Sequence, residues 1–186
     1  MKKKLVAVFS LLLMGGVVSN AASMEIGVGG FGGMNIPVVQ DDASTSSLLG
    51  LKARMQLIPA LGIEPFFTRL NQGDTSIEVG GKDMSRDGGS ISSFGLSLIL
   101  GSMSSYLGAH FHVAAGIGSY NIKREGIPNE SRLGYNIGPG VEIGLRHGLS
   151  VEVSSKFHII TLEGGGSRKN IGISGGVNYY FGLGIP

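Results

Sequence analysis

The sequence has 186 residues, which is enough for one domain. Its 15 lysine and arginine residues against 13 aspartate and glutamate residues give a net charge of +2, and the absence of a basic stretch with interleaved aromatics argues against nucleic acid as a partner. The chain contains no cysteine, which excludes disulfides and thiolate metal sites, and its 33 glycines follow neither a collagen repeat nor a linker composition.

The first 21 residues have the three parts of a secretory signal peptide: the basic run MKKK, the apolar stretch LVAVFSLLLMGGVV and the small-residue site SNAAS. Small side chains at Ser19 and Ala21 predict cleavage after Ala21, with Ser23 as the alternative site. The apolar stretch is shorter than the roughly 20 residues of a membrane-spanning helix. We therefore assign residues 1–21 to a signal peptide and 22–186 to the mature domain, whose net charge is about −1 without the three leader lysines.

The mature sequence repeats short segments in which apolar residues alternate with small or polar ones. Successive side chains of a strand point to opposite faces, so each segment predicts a two-faced strand. In the first segment the alternation slips near Gly29 and Gly30, which predicts a β-bulge. Eight segments show the pattern: 24–34, 48–58, 61–70, 90–101, 105–120, 132–146, 148–160 and 170–181.

The predicted connections alternate in length, as in outer-membrane barrels with tight periplasmic turns and long external loops. In the longest, Ile77 and Val79 alternate with Glu78, which predicts that the flanking strands extend above the membrane as a hairpin. Short connections are predicted near 59–60, 101–105 and 146–148, and long polar ones at 35–47, 71–90, 121–131 and 163–169.

One face of each predicted strand is apolar through its centre, and the other is rich in glycine and other small residues with few charges. A soluble barrel such as a lipocalin would turn the apolar face inward and carry many charges on its surface. The interior of an eight-stranded barrel is barely wide enough for side chains, which suits small residues. We therefore predict an all-β fold, an eight-stranded antiparallel up-and-down transmembrane β-barrel in the bacterial outer membrane.

The alternation points a set of polar residues into the lumen of this barrel. Counting back from the turn near His147 places Glu142 opposite Glu152, and two facing carboxylates need cations between them. The lumen charges are either a salt-bridge network that plugs the barrel or a narrow gated path for ions or small solutes. The predicted lumen charges are Lys52, Arg54, Glu64, Glu142, Arg146, Glu152 and Lys156.

Three histidines are also predicted to face the lumen: His110, His112 and His158. Imidazoles on one face could bind a metal ion, but no carboxylate ligands with suitable spacing accompany them. We interpret these histidines as polar lumen residues and predict neither a metal site nor a cofactor.

The signal peptide, the eight strands and the final strand NIGISGGVNYYF resemble the small outer-membrane barrels of the OmpA, OmpX and opacity-protein type. In that group the last strand is read by the barrel-assembly machinery, and the resemblance implies this role for Ile173, Val177, Tyr179 and Phe181. It implies a protein embedded in outer-membrane lipids and lipopolysaccharide, which we expect to be a monomer. A structural or surface-interaction role follows, in which extracellular loops contact a host or surface protein.

Some eight-stranded outer-membrane barrels are lipid-modifying enzymes, and this is the remaining alternative function. A deacylase needs a serine nucleophile, a histidine base and an acid within hydrogen-bond reach. That family carries a His-x-Ser pair facing the lipid, which neither His110-x-His112 nor His158-x-x-Thr161 reproduces. The sequence therefore predicts a protein without catalytic activity.

Overall fold

The computed structural model describes residues 25–38, 44–58, 60–71, 75–79, 82–86, 89–101, 107–124 and 127–182. The predicted signal peptide, at 1–21, lies outside the described residues. No helix in these ranges is long and apolar enough to cross a bilayer. The strands are β1 (Glu25–Val38), β2 (Ser46–Ile58), β3 (Leu61–Asn71), β4 (Thr75–Val79), β5 (Lys82–Arg86), β6 (Ser90–Gly101), β7 (Gly108–Arg124), β8 (Ile127–Gly144), β9 (Leu149–Thr161) and β10 (Ser167–Gly182).

Eight of these strands form a closed antiparallel barrel in the order β1-β10-β9-β8-β7-β6-β3-β2. The pairing of β1 with β10 closes it, from Glu25 opposite Gly182 to Val38 opposite Lys169. The hydrocarbon around a membrane-spanning sheet explains why the barrel closes. An unpaired backbone N–H or C=O group in hydrocarbon costs several kcal/mol, and a closed sheet has no edge with such groups. The predicted fold class is confirmed.

The remaining strands, β4 and β5, form a separate two-stranded sheet between β3 and β6. Their register runs from Thr75 opposite Arg86 to Val79 opposite Lys82. The predicted hairpin is therefore present, but it is a sheet of its own rather than an extension of the flanking barrel strands.

The predicted long loop at 121–131 is wrong, because β7 continues to Arg124 and β8 begins at Ile127. β1 likewise continues to Val38, into the predicted loop at 35–47. Polar residues in this part of β7, such as Asn121 and Lys123, mark the end of the hydrocarbon layer and not the end of the strand. Above the bilayer an outward side chain can be polar without cost, so the alternation fades while the ladder continues.

The predicted β-bulge at Gly29 and Gly30 is also wrong, because β1 pairs with β10 and β2 in continuous register through both glycines. The slip in the sequence pattern has another origin. Phe31 points into the lumen and packs against the buried apolar residues there, so an aromatic residue occupies a face read as small or polar. The register irregularities lie elsewhere, between Gln56 and Ile58 and between Ile122 and Arg124.

Glycines in the lumen lie opposite the bulky lumen side chains and provide the space for them. A Cβ atom at Gly27 would lie 2.7 Å from the Tyr180 ring, and one at Gly95 would lie 2.7 Å from the Phe66 ring. Real Cβ atoms do not approach other atoms so closely, so larger residues at these positions would displace the rings. The same relation joins Gly29 to Asn178, Gly50 to Phe31, Gly134 to Tyr120, Gly140 to His112 and Gly172 to Leu48.

The glycine at position 138 allows an unusually close approach of two strands, which gives a test. A Cβ atom there would overlap the carbonyl oxygen of Ser155 and lie 2.8 Å from the Cα atom of Lys156, so Gly138→Ala must push β8 away from β9. We expect Gly138→Ala to lower the free energy of unfolding by about 1–3 kcal/mol, the usual cost of overpacking. Urea unfolding in lipid vesicles, followed by heat-modifiable gel mobility, measures this change.

Gly175→Ala is the matched control, because a Cβ atom at this outward position has only the Glu152 carbonyl oxygen within 4 Å, at 3.9 Å. Its free energy of unfolding should stay within about 0.5 kcal/mol of the wild-type value, as for most surface substitutions. Equal losses in the two variants would contradict the interpretation that close packing requires Gly138.

Candidate functional site in the barrel lumen

The outer surface of the barrel is apolar, and the charged side chains of the strand centres lie inside. Leu51, Phe94 and Phe111 are each at least 65% exposed, whereas Glu64 and Glu142 are completely buried. This is the reverse of a soluble barrel, and hydrocarbon is the solvent that such a surface fits. Barrels with an apolar external band and a polar interior span bacterial outer membranes, and this chain is one of them.

The centre of the lumen holds an ion-pair network organised around the Arg54 guanidinium. Its Nε atom lies 2.6 Å from Glu64 Oε2 on the neighbouring strand. Its Nη1 atom lies 2.9 Å from Glu142 Oε2 and 2.8 Å from Glu152 Oε2, across the barrel. Arg54 therefore separates three buried carboxylates that would otherwise repel one another.

Two lysines complete the neutralisation of these carboxylates. Lys52 Nζ lies 2.6 Å from Glu152 Oε2, and Lys156 Nζ lies 2.7 Å from Glu64 Oε1. Each ammonium group also lies 5.5 Å from the centre of an aromatic ring, of Phe31 for Lys52 and of Phe66 for Lys156. We call Lys52, Arg54, Glu64, Glu142, Glu152 and Lys156 the lumen network; its three positive and three negative charges cancel.

Neutral donors hold the completely buried carboxylate of Glu142. Tyr180 Oη donates to both of its oxygens at 2.9 Å, and Asn178 Nδ2 donates to Oε1 at 2.7 Å. Ser150 Oγ also donates to Oε1. A buried carboxylate needs such donors in addition to a cation, because desolvation leaves its lone pairs without water.

A tight turn fixes the strands that carry Glu142 and Glu152. The backbone N–H of Leu145 donates to the Leu149 carbonyl at 2.7 Å, and Gly148 lies in the left-handed region with φ of 78°. The resulting register pairs Glu142 with Glu152, so this prediction is confirmed. Arg146, in contrast, is exposed at the turn; its predicted lumen position is wrong, because the turn ends the alternation before residue 146.

The three histidines lie at separate places in the lumen. His112 is buried with Nε2 3.8 Å from Glu152 Oε1, and His158 is buried with Nδ1 2.9 Å from the hydroxyl of Tyr120. His110 is partly buried near the periplasmic end of β7. Among the described residues, no group of three histidine, aspartate or glutamate side chains could hold a metal ion.

An apolar layer near the extracellular ends of the strands lies above the lumen network, and the sequence interpretation missed it. Leu70, Ile91, Tyr120 and Ile160 in this layer are completely inaccessible to solvent. The sequence could have indicated this layer, because these apolar residues lie at lumen-facing positions of their strands, next to the predicted long loops. We call the layer the apolar cap; its members are Leu48, Leu70, Ile91, Tyr120, Ile122 and Ile160.

The space between the apolar cap and the lumen network is small. A cavity of about 20 Å³ lies there, lined in part by Lys52, Lys156, Phe31 and Phe66. This volume suits about one water molecule. The lumen network and the apolar cap thus fill the described part of the lumen with two layers, one of charged and one of apolar side chains.

The last strand places its alternate apolar residues on the outer surface. Tyr179 and Phe181 stack edge to face with ring centres 4.7 Å apart. The exposed fractions of Ile173, Val177, Tyr179 and Phe181 lie between 41% and 53%, so all four contact the membrane.

Solved structures of similar fold include several bacterial barrels. Neisserial surface protein A matches with a TM-score of 0.62 at 12% identity, over 88% of this chain and 100% of that one. The N-terminal barrel domain of OprF from Pseudomonas aeruginosa matches with a TM-score of 0.60 at 16% identity, over 84% and 97%. The outer membrane protein OprG from the same organism matches with a TM-score of 0.53 at 14% identity, over 87% and 97%.

No protein-family model matches the chain, and no curated protein matches its sequence. At the identities of the solved structures, the similarity establishes the fold: a small eight-stranded outer-membrane barrel, as the sequence resemblance implied.

The central position of Arg54 gives a test of the lumen network. Arg54→Met leaves Glu64, Glu142 and Glu152 buried with too few cations, so the free energy of unfolding should fall by about 3–5 kcal/mol. Adding Glu142→Gln removes the one excess negative charge and should recover part of the loss. Urea unfolding in lipid vesicles measures both variants.

The control for this test is Arg146→Met, which removes an arginine that is exposed in the turn. Its free energy of unfolding should change by less than about 0.5 kcal/mol. If Arg54→Met and Arg146→Met are equally stable, the lumen network contributes nothing specific to the fold.

Proposed function

We propose that the protein is a closed outer-membrane barrel with a structural and surface-interaction role and without transport or catalysis. The observation that carries this proposal is the packing of the described lumen, in which a neutral ion-pair network lies beneath an apolar cap with completely buried members. A side-chain layer with completely buried members offers an ion no hydrated route, and moving an ion through it would carry a large desolvation cost. The function is then carried by the outer wall and the extracellular segments of the barrel.

The extracellular side supplies the material for surface interaction. β7 has 17 residues and β8 has 18, whereas a tilted strand needs about 9–11 residues to cross the hydrocarbon. Both strands therefore rise well above the membrane, and the β4–β5 hairpin adds a second extended segment. Extended strands can bind partner proteins by strand addition, and the solved neighbour from Neisseria is itself named a surface protein.

The protein's surroundings also follow from this proposal. Its wall would be embedded in outer-membrane lipids, including lipopolysaccharide in the outer leaflet. The barrel-assembly machinery would read the outward residues Ile173, Val177, Tyr179 and Phe181 of β10, whose side chains are accessible on an apolar face.

The second candidate function is a narrow gated pore, which a measurement of bilayer conductance distinguishes from a closed barrel. A path would require ion pairs such as Arg54–Glu142 to exchange partners, but both side chains are almost completely buried. The lipid-modifying enzyme is the third candidate. It would need a histidine facing the lipid, whereas His112 and His158 face the lumen.

Planar-bilayer recording tests the sealed lumen. We expect purified, refolded protein to give no discrete current steps above those of protein-free bilayers, with a general porin as the positive control. Stable steps in the wild-type protein that change size in Glu142→Ala would contradict the proposal and favour the pore.

Replacement of residues 75–86 by a short Gly–Ser linker tests the surface role. The hairpin forms its own sheet, so its removal should leave barrel folding and heat-modifiable mobility unchanged. Cells that display the variant should adhere less to serum-coated surfaces than cells with the wild-type protein at equal surface expression. Unchanged adhesion would argue against a role of this hairpin in surface interaction.

A further inference from the structure

In the described parts of the barrel strands, the outward side chains carry charges of only one sign. Within the described parts of the eight barrel strands, Arg69, Lys123 and Lys169 are the charged side chains in the outward phase, and all lie near the extracellular ends. No carboxylate shares this phase in the same ranges, and none of the three cations forms an ion pair with a described residue. The three cations are thus available to an anion at the level of the outer-leaflet headgroups.

Two of these cations lie close together and have neutral hydrogen-bonding neighbours. Arg69 on β3 is opposite Ser92 on β6, which in turn is opposite Asn121 on β7. Lys123 follows two residues further along β7, opposite Ser90. With strands about 5 Å apart and a rise of about 3.3 Å per residue, the Cα atoms of Arg69 and Lys123 lie about 12 Å apart across the wall, a span that two long side chains can close around one phosphate.

An apolar groove lies below Arg69, on the outer face of β1, β2, β3 and β6. It has a volume of about 380 Å³ and is lined on the outside by Val28, Leu51, Ala53, Pro65, Phe67 and Phe94. Small Ala53 and ring-shaped Pro65 form its floor between the bulkier side chains. Pro65 also has no N–H to donate, and the pairing of β2 with β3 passes from Lys52–Phe66 directly to Met55–Ile63 at this place.

The groove and one of the two cations, Arg69, are aligned on a single strand. Arg69, Phe67 and Pro65 follow one another on the outward face of β3, over about 13 Å along the strand. The length is comparable with that of a saturated acyl chain, and the polar end of this line is at the extracellular side. An amphiphile with its anionic headgroup up and its chain down matches both parts.

We propose that the outer face formed by β1, β2, β3, β6 and β7 binds a phosphate-bearing, multiply acylated glycolipid of the outer leaflet. Arg69 and Lys123 bind a phosphate, Ser90, Ser92 and Asn121 contact headgroup hydroxyls, and one acyl chain lies in the groove along Ala53 and Pro65. The proposal rests on the outer-membrane placement and not on the sealed lumen, so each can fail without the other.

Native mass spectrometry of the purified full chain in detergent, titrated with bis-phosphorylated hexa-acyl lipid A, tests this site. Arg69→Gln combined with Lys123→Gln should weaken lipid A binding by about tenfold or more, as expected for the loss of charge-assisted hydrogen bonds. Lys169→Gln is the matched control, because it removes the third outward cation on β10 away from the groove; its affinity should stay within about twofold of wild type. Equal weakening in the two variants would overturn the proposal.

A second pair of variants tests the groove independently of charge. Ala53→Leu fills the floor of the groove and should weaken binding of lipid A several-fold, whereas Ala115→Leu, at an outward position on β7 outside the groove, should not. Heat-modifiable gel mobility verifies that all variants are folded. Equal affinity of both alanine variants would overturn the acyl-chain part of the site.

Two further ligands identify the source of the phosphate. Dephosphorylated lipid A should bind about tenfold more weakly than the phosphorylated form. Inorganic phosphate at millimolar concentration should not displace lipid A, because it lacks the chains that the groove holds. Full displacement by inorganic phosphate would mean a simple anion site and would contradict the proposal.

Discussion

A sheet that crosses hydrocarbon must close on itself, and in this protein closure determines where every charge can lie. Eight strands leave a narrow interior, so polar groups excluded from the lipid are also largely excluded from water. They can stay charged only if they neutralise one another. Arg54 contacts Glu64, Glu142 and Glu152 at once, while Lys52 and Lys156 balance the remainder. The lumen network is thus a consequence of the membrane as much as of the sequence.

The narrow interior also explains the high glycine content. Each large lumen side chain must have space on the facing strand, and glycine is the residue that provides it. The Tyr180 ring lies against Gly27, and the Phe66 ring lies against Gly95. These close contacts position the donors that Glu142 requires, since Tyr180 could not reach its carboxylate if Gly27 had a side chain that displaced the ring. Glycine here supports an electrostatic arrangement through packing, and its effect on backbone flexibility is secondary.

The sequence was sufficient for the architecture because period-two alternation survives in every strand that contacts lipid. It was also sufficient for the Glu142–Glu152 pair, which lies a countable distance from a tight turn. The sequence-based prediction failed beyond the hydrocarbon layer, where outward side chains no longer need to be apolar. Residues 121–124 and 127–131 lose their alternation above the membrane but stay in the ladder, and Arg146 leaves the lumen phase at the turn. The sequence also does not show which lumen charges pair with one another. Arg54 contacts carboxylates from three strands, and these contacts depend on how far side chains reach across the barrel, which no pattern near Arg54 in the sequence indicates.

The distribution of charge between the two faces links the interior with the environment. All carboxylates of the strand centres lie inside, where cations meet them, and the outward phase of the described strands keeps cations alone. Lipid solvation explains why the strand centres carry no outward charge, but it treats both signs alike, so it does not explain why the charges near the extracellular ends are the cations Arg69, Lys123 and Lys169. An outer leaflet with anionic headgroups does explain this, because it attracts cations at that level and repels carboxylates. The sign of the exposed charge therefore reflects the chemistry of the surrounding leaflet, and the neutrality of the lumen network reflects the burial of its charged groups in a narrow interior.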